Sequence, residues 1–224
     1  MAGKVITIAQ QKGGSGKTTL AVNLAVAFTR RGMTVALLDT DPQGSLGRWF
    51  LTRRERLGEP GMDLSTASAW GVSYECEKLR KTNDVVIVDT PPKVDADLRP
   101  ALREADLVLI PVAASHVDLW ATDGVLDLAA RERKRATIVL NRTKSGTRLG
   151  EEVAAAAANL EAEVAESRFG QRVVFAETLG QGLGAQEFGK SPASVEVEVL
   201  ADEILALLYP AGVDGPRMTS TQRA

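Results

Sequence analysis

The stretch Lys12-Gly13-Gly14-Ser15-Gly16-Lys17-Thr18-Thr19 constrains the fold more than any other, because of what stands on either side of it. Before it, Lys4-Val5-Ile6-Thr7-Ile8-Ala9 is β-branched and strand-like; after it, Thr19 to Arg31 is an apolar run of helical character that stops at Gly32. Strand, glycine loop and helix in that order make a cradle for phosphate. Glycines let successive backbone N–H groups converge on one anion, the helix adds its positive end, and Lys17 neutralises the outer phosphates. Gly13, Gly14 and Gly16 supply that freedom around Ser15. Thr18, directly after Lys17, stands where a hydroxyl ligates the Mg²⁺ that accompanies a nucleoside triphosphate. The usual spacing asks for glycine at position 11, which here is Gln11, so the loop is a variant. Its main peculiarity is a second lysine, Lys12. A glycine-rich turn without a ligand is the bland alternative, and the flanking order argues against it.

Two more strand-like runs end in acids. Thr34-Val35-Ala36-Leu37-Leu38 leads into Asp39-Thr40-Asp41-Pro42-Gln43-Gly44, and Asp84-Val85-Val86-Ile87-Val88 into Asp89-Thr90-Pro91-Pro92. Carboxylates at the carboxyl ends of parallel strands face the ligand crevice of an open α/β sheet. Pro42 fixes the chain just after Asp41; a plain turn, which favours the same residues, is the alternative. Leu107–Pro111, Thr137–Asn141 and Arg172–Ala176 read as further strands, and Asp118–Arg131 and Leu149–Ala165 as helices. Val197, Leu200, Ala201, Ile204, Leu207 and Leu208 share a helical face that Pro210 ends. The alternation predicts an α/β fold: a single-domain P-loop nucleotide-binding unit with a mostly parallel, doubly wound sheet covered by helices on both faces. Residues 1–209 are assigned to that domain and 210–224, rich in Gly, Pro, Ser and Thr, to a disordered tail.

Composition sets limits on function. The net charge of −2 means that any nucleic-acid binding must come from a local patch. Between Arg131 and Arg148 stand seven basic residues (Arg131, Arg133, Lys134, Arg135, Arg142, Lys144, Arg148) against the single acid Glu132, and Arg168, Arg172 and Lys190 could join them. Solvated helix ends are the alternative. Cys76 is alone, which excludes an internal disulfide and a C-x-x-C site and fits a reducing compartment. With no signal peptide and no run of eighteen apolar residues, a soluble cytoplasmic protein is expected. His116 reads as a loop or interface residue, and Trp49-Phe50 as either a partner patch or helix-to-sheet packing.

The three motifs together resemble those of the ParA/MinD superfamily of deviant Walker-A ATPases, whose signature is K-G-G-x-G-K-[ST]-T. The resemblance implies that Lys12 reaches across a dimer interface to the phosphates held by the other subunit, so that dimerisation depends on ATP; a solvated loop lysine is the alternative. It assigns Asp41 to orienting the attacking water, Asp39 to the magnesium and loop network, and Asp89, in a Walker-B-like strand, to binding Mg²⁺ through water or steadying Thr18. Thr90-Pro91-Pro92 would begin the switch that senses the γ-phosphate. Asn141 would hydrogen-bond the adenine edge, unless it merely ends its strand. Catalysis would then rest on Lys12, Lys17 and Asp41. The nucleotide would be held by Lys12 to Thr19 with Asn141, and the metal by Thr18, Asp39 and Asp89.

Within the superfamily, the single cysteine does not suit an iron–sulfur branch, and Gly212 to Pro216 is a poor start for a membrane-binding helix. The chain resembles small ParA-like partition proteins that lack an N-terminal helix-turn-helix domain. That implies an ATP-dependent homodimer bound to nonspecific double-stranded DNA through Arg142, Lys144, Arg148, Arg168 and Arg172. It implies nucleoid association in the ATP state, no membrane partner, and slow hydrolysis stimulated by a ParB-like or other adaptor. The output would be positioning of a plasmid, a chromosome segment or a large protein assembly. The competing expectation is a biosynthetic ligase of the dethiobiotin or cobyrinate amide synthetase kind, which shares the loop and uses ATP to activate a carboxylate.

Overall fold

The computed structural model describes residues 2–92 and 98–210. The expected tail beyond Pro210 and the segment after Pro92 lie outside the described residues.

Among the described residues, seven parallel strands form one sheet: β1 (Lys4–Ile8), β2 (Val35–Asp39), β3 (Asp63–Thr66), β4 (Val85–Asp89), β5 (Leu107–Ala113), β6 (Ala136–Asn141) and β7 (Glu163–Val164). Their order across the sheet is β3-β2-β4-β1-β5-β6-β7. β2 and β4 are buried along their whole length, which explains why they read as unbroken apolar runs and not as alternating ones.

The helices follow as α1 (Lys17–Arg30), α2 (Ser45–Leu57), α3 (Val72–Leu79), α4 (Leu98–Glu104), α5 (His116–Trp120), α6 (Asp123–Arg131), α7 (Arg148–Ala157), α8 (Val173–Gly180) and α9 (Pro192–Leu208). Strand residues alternate between two faces. Ile6, Ile8, Ile87 and Leu109 pack under α1, α2, α8 and α9, whereas Val5, Val86, Val108 and Ile110 pack under α3, α4, α6 and α7. The doubly wound architecture is therefore as expected.

Three expectations need correction. Arg172–Ala176 is not a strand: Val173 begins α8, and Phe175 stacks on Phe169 with ring centroids 4.9 Å apart. Tertiary packing here overrides the β preference of adjacent valines. The helix expected over Asp118–Arg131 breaks into α5 and α6 at Ala121-Thr122, where the Thr122 hydroxyl donates to the Asp118 carbonyl. The helix expected to reach Ala165 stops at Ala157, and Glu163–Val164 leaves it to pair with β6.

Trp49 and Phe50 are buried, with the indole N–H donating to the Leu183 carbonyl, so packing explains that pair. Cys76 is buried as well, and desolvation pushes its thiol up to about 12, which makes it inert at neutral pH. Among the described residues, no helix is long and apolar enough to cross a membrane.

The strand order reverses at β1, which has β4 on one side and β5 on the other. Such a switch point opens a crevice beyond the carboxyl ends of the strands. Ile8, Asp89 and Asp39 are register partners across β1, β4 and β2, so the glycine loop and both acids emerge at one edge.

Candidate functional site

Between β1 and α1 the loop takes left-handed backbone at Gly14 (φ 76°) and Gly16 (φ 97°). Gly16 is needed for two reasons. Its φ disfavours any side chain, and a Cβ there would lie 2.1 Å from Asn141 Nδ2. That amide donates to the Ser15 carbonyl at 2.8 Å, bracing the loop from beneath, while Asn141 Oδ1 accepts the Arg142 N–H at 2.8 Å. Both ends of the Asn141 amide are thus engaged within the chain. One N–H of the amide and one lone pair of its oxygen are left unused by these two bonds.

The two loop lysines diverge. Lys17 is buried, its Nζ 3.1 Å from the Gln10 carbonyl, and desolvation lowers its pKa while Asp89 and Asp41 raise it. A partly desolvated ammonium whose hydrogen bond among the described residues is to this neutral acceptor is poised for an incoming anion. Lys12, by contrast, is at the surface with a side chain 40% exposed, and its Nζ lies 2.5 Å from Asp118 Oδ2.

Thr18 and Asp89 meet as expected, with Thr18 Oγ1 donating to Asp89 Oδ2 at 2.6 Å. Asp89 Oδ1 is buried and has no hydrogen-bond partner among the described residues. A buried carboxylate oxygen in that state, beside a threonine hydroxyl, fits a Mg²⁺ shell built of hard oxygen ligands. Asp39 is engaged by backbone donors. Its carboxylate accepts the N–H groups of Asp41 (3.1 Å) and Gly47 (2.9 Å), so it holds the segment leading into α2. Desolvation raises its pKa and these donors lower it. Asp41 Oδ1 accepts the Gln43 N–H at 2.9 Å, and the turn closes through Gly44 N–H to the Asp41 carbonyl. Thr40 and Thr90 tie the strand ends together by donating to the Asp89 and Ile8 carbonyls. Beside them, a cavity of about 350 Å³ lies where Asp41-Pro42-Gln43 faces Pro91-Pro92.

Burial pushes the Asp89 carboxyl up to about 7; the Thr18 hydrogen bond and Lys17 oppose the shift, and Asp39 and Asp41 add to it. The folded value lies above the ordinary 3.8, so the folded chain keeps a proton that the unfolded chain releases. This contribution to stability is complete below pH 4 and is lost as pH rises through 7. Nucleotide-free wild type should therefore lose thermal stability, relative to Asp89→Asn, between pH 5 and pH 8. Melting curves of the two at four pH values check this, and a constant gap between them would contradict it.

The basic run does not form one patch. Arg131 to Arg135 precede β6 and Arg142 to Arg148 follow it, so a six-residue strand, about 20 Å long, separates them. At the carboxyl edge, Arg148 pairs with Glu152 and Arg172 with Glu196, whereas Arg142, Lys144 and Arg168 form no ion pair among the described residues. Lys144, Arg168 and Arg172 line a polar cavity of about 570 Å³ together with Thr143, Gly146 and Gly170. Arg142 adopts left-handed backbone (φ 52°), uncommon for a residue with a side chain. His116 opens α5, with its ring nitrogen 3.9 Å from Glu152.

Two site features had no signal in the sequence. Asp118 meets Lys12 from 106 residues away, and Gln10 joins the loop to Pro111 and Thr122.

Comparison with known proteins agrees with this geometry. The chain is 28% identical over 212 residues to the maintenance of carboxysome distribution protein A of Halothiobacillus neapolitanus, covering 92% of this chain and 96% of that one. It is 31% identical over 247 residues to the chromosome-partitioning ATPase Soj of Thermus thermophilus, covering 92% and 97%. In fold, it superposes on cobyrinic acid a,c-diamide synthase of Mycobacterium smegmatis, solved with an ATP analogue and magnesium, with a TM-score of 0.78 at 20% identity over 97% of this chain and all of the other. Residues 6–175 match the family described as the CobQ/CobB/MinD/ParA nucleotide binding domain, and the chain belongs to that family.

Proposed function

We propose that this protein is an Mg²⁺-dependent ATPase that dimerises around ATP, holds nonspecific DNA while so joined, and positions a cargo by releasing DNA after hydrolysis stimulated by a partner. The observation that carries the reading is the divergence of the two loop lysines. Lys17 is buried beneath its own loop, while Lys12 is at the surface, where a second subunit can be reached.

On this reading, Lys17 neutralises the phosphates of its own nucleotide and Lys12 those of the partner. Thr18 and Asp89 hold Mg²⁺, which offsets phosphate charge when bound, and Asp39 keeps the Asp41 segment in place. Asp41 orients the water, so that catalysis is mainly positioning and electrostatics. Thr143, Lys144 and Arg168, beyond Asn141, are assigned to the base end or to DNA at the carboxyl edge, with Arg142 beside them. The relatives named for carboxysome distribution and chromosome partitioning support a large protein assembly or a DNA segment as cargo.

Retention on DNA with ATP, with ADP and without nucleotide, at several salt concentrations, tests the reading. Retention confined to ATP and falling steeply with salt is expected; retention indifferent to nucleotide would refute it. The likeness to a diamide synthase favours a second reading, a carboxylate-activating ligase. ATP turnover raised by small carboxylic acids and untouched by DNA would support it.

A further inference from the structure

The part of the basic run that precedes β6 has no place in the crevice, yet its backbone is not that of an ordinary helix end. α6 stops with the Arg133 N–H donating to the Ala130 carbonyl and the Lys134 N–H to the Ala129 carbonyl, and Arg133 takes left-handed backbone at φ 56°. α1 stops with the same pair of bonds, from Gly32 to Thr29 and from Met33 to Phe28, and there the left-handed residue is Gly32 at φ 81°. Glycine is the unstrained choice for that position. An exposed arginine placed where the backbone favours glycine needs a reason beyond the fold. Its neighbours extend the charge. Glu132, with a side chain 10% exposed, accepts from Arg99 Nε and from Arg103 Nε, the latter at 3.4 Å; the two arginines stand one turn apart on α4. The Arg99 hydrogen bond holds the Glu132 carboxyl below its usual range, against desolvation. Both arginine side chains remain more than half exposed, at 56% and 59%. Arg131, Arg133 and Lys134 form no ion pair among the described residues, and Asp127, one turn back, is the nearest acid along α6.

We propose that this amino-edge surface of α4 and α6 docks an acidic segment of a partner protein, whose carboxylates are taken by the arginines around Glu132. A carboxylate is the anion already seated between two of them, and planar guanidinium forks match that group. Duplex DNA is the other polyanion that such charge could hold. β6 sets the surface about 20 Å from the carboxyl edge, where the glycine loop lies, so DNA held here would stay bound with ADP. The choice of an acidic protein over DNA therefore rests on the ATP-dependent release proposed above. Partner and DNA then occupy opposite edges of the sheet and are carried at once.

Fluorescence anisotropy of a short labelled polyglutamate peptide, titrated with the full chain at low salt and without nucleotide or DNA, tests the surface. Arg99→Ala/Arg103→Ala should weaken binding about tenfold and Arg133→Gly about threefold, the scale expected for losing two exposed pairs and one. Arg133→Gly should also raise the melting temperature by about 2–4 °C, because it removes the left-handed strain. A merely solvated helix end gives that gain in stability without the loss in binding. Arg54→Ala/Arg56→Ala, which removes the same charge from the exposed end of α2, is the control and should change the affinity little. Equal losses in the two double variants, or an Arg133→Gly variant that binds the peptide like wild type, would overturn the proposal. So would an Arg99→Ala/Arg103→Ala variant that binds the peptide normally but no longer stays on random-sequence duplex with an ATP analogue, which would make the surface a DNA site. Retention of duplex by the wild type whatever the nucleotide refutes the switch instead, while the peptide affinities still decide the surface.

Discussion

Asp41→Ala is expected to slow ATP hydrolysis by about 10²- to 10³-fold, the usual scale for losing a positioned acid–base or water-orienting group, while ATP-dependent association persists. The Asp41 carboxylate is held by the Gln43 N–H, and the backbone before it by Asp39, so its direction is set before any nucleotide arrives. Lys17, Thr18 and Asp89 do not depend on the Asp41 side chain for their own hydrogen bonds, and for that reason nucleotide binding should survive. Single-turnover release of phosphate measures the effect. Turnover within threefold of wild type would remove Asp41 from the mechanism.

Gly16→Ala is expected to be more disruptive, lowering affinity for Mg-ATP by at least about 100-fold, or roughly 3 kcal/mol. An added methyl group meets the Asn141 amide at 2.1 Å and must also adopt φ 97°. Relief requires breaking the Asn141 bond to the Ser15 carbonyl, and with it the brace under the loop. Titration calorimetry measures the loss. Gly13→Ala is the internal control, because its Cβ would meet nothing within 4 Å and its φ lies outside the left-handed region. Equal losses in the two variants would show that the brace is not what holds the loop in shape.

The loop, the two acid-ended strands and the doubly wound sheet were legible because each is a local pattern. Apolar runs give buried parallel strands, glycines and lysines give the cradle, and acids at strand ends give the crevice. What was not legible depends on contacts distant in sequence. Val173 and Val174 favour a strand, yet Phe169 and the helices over that face draw the segment into α8. The seven clustered cations look like one patch until β6 divides them. Asn141 suggests base recognition from its place at a strand end, but its distance to Ser15 becomes visible only in the fold. Asp118 is the strongest case, since nothing near it in the chain points to Lys12.

An ATP-dependent switch requires above all that Lys12 act across two subunits. Sedimentation equilibrium of wild type and Lys12→Ala, each with Mg²⁺ and a non-hydrolysable ATP analogue or with ADP, tests this directly. Wild type should dimerise with the ATP analogue and be monomeric with ADP, and Lys12→Ala should be monomeric with both while still binding nucleotide. A wild type that stays monomeric with the ATP analogue, or a Lys12→Ala variant that dimerises with wild-type affinity, would contradict it.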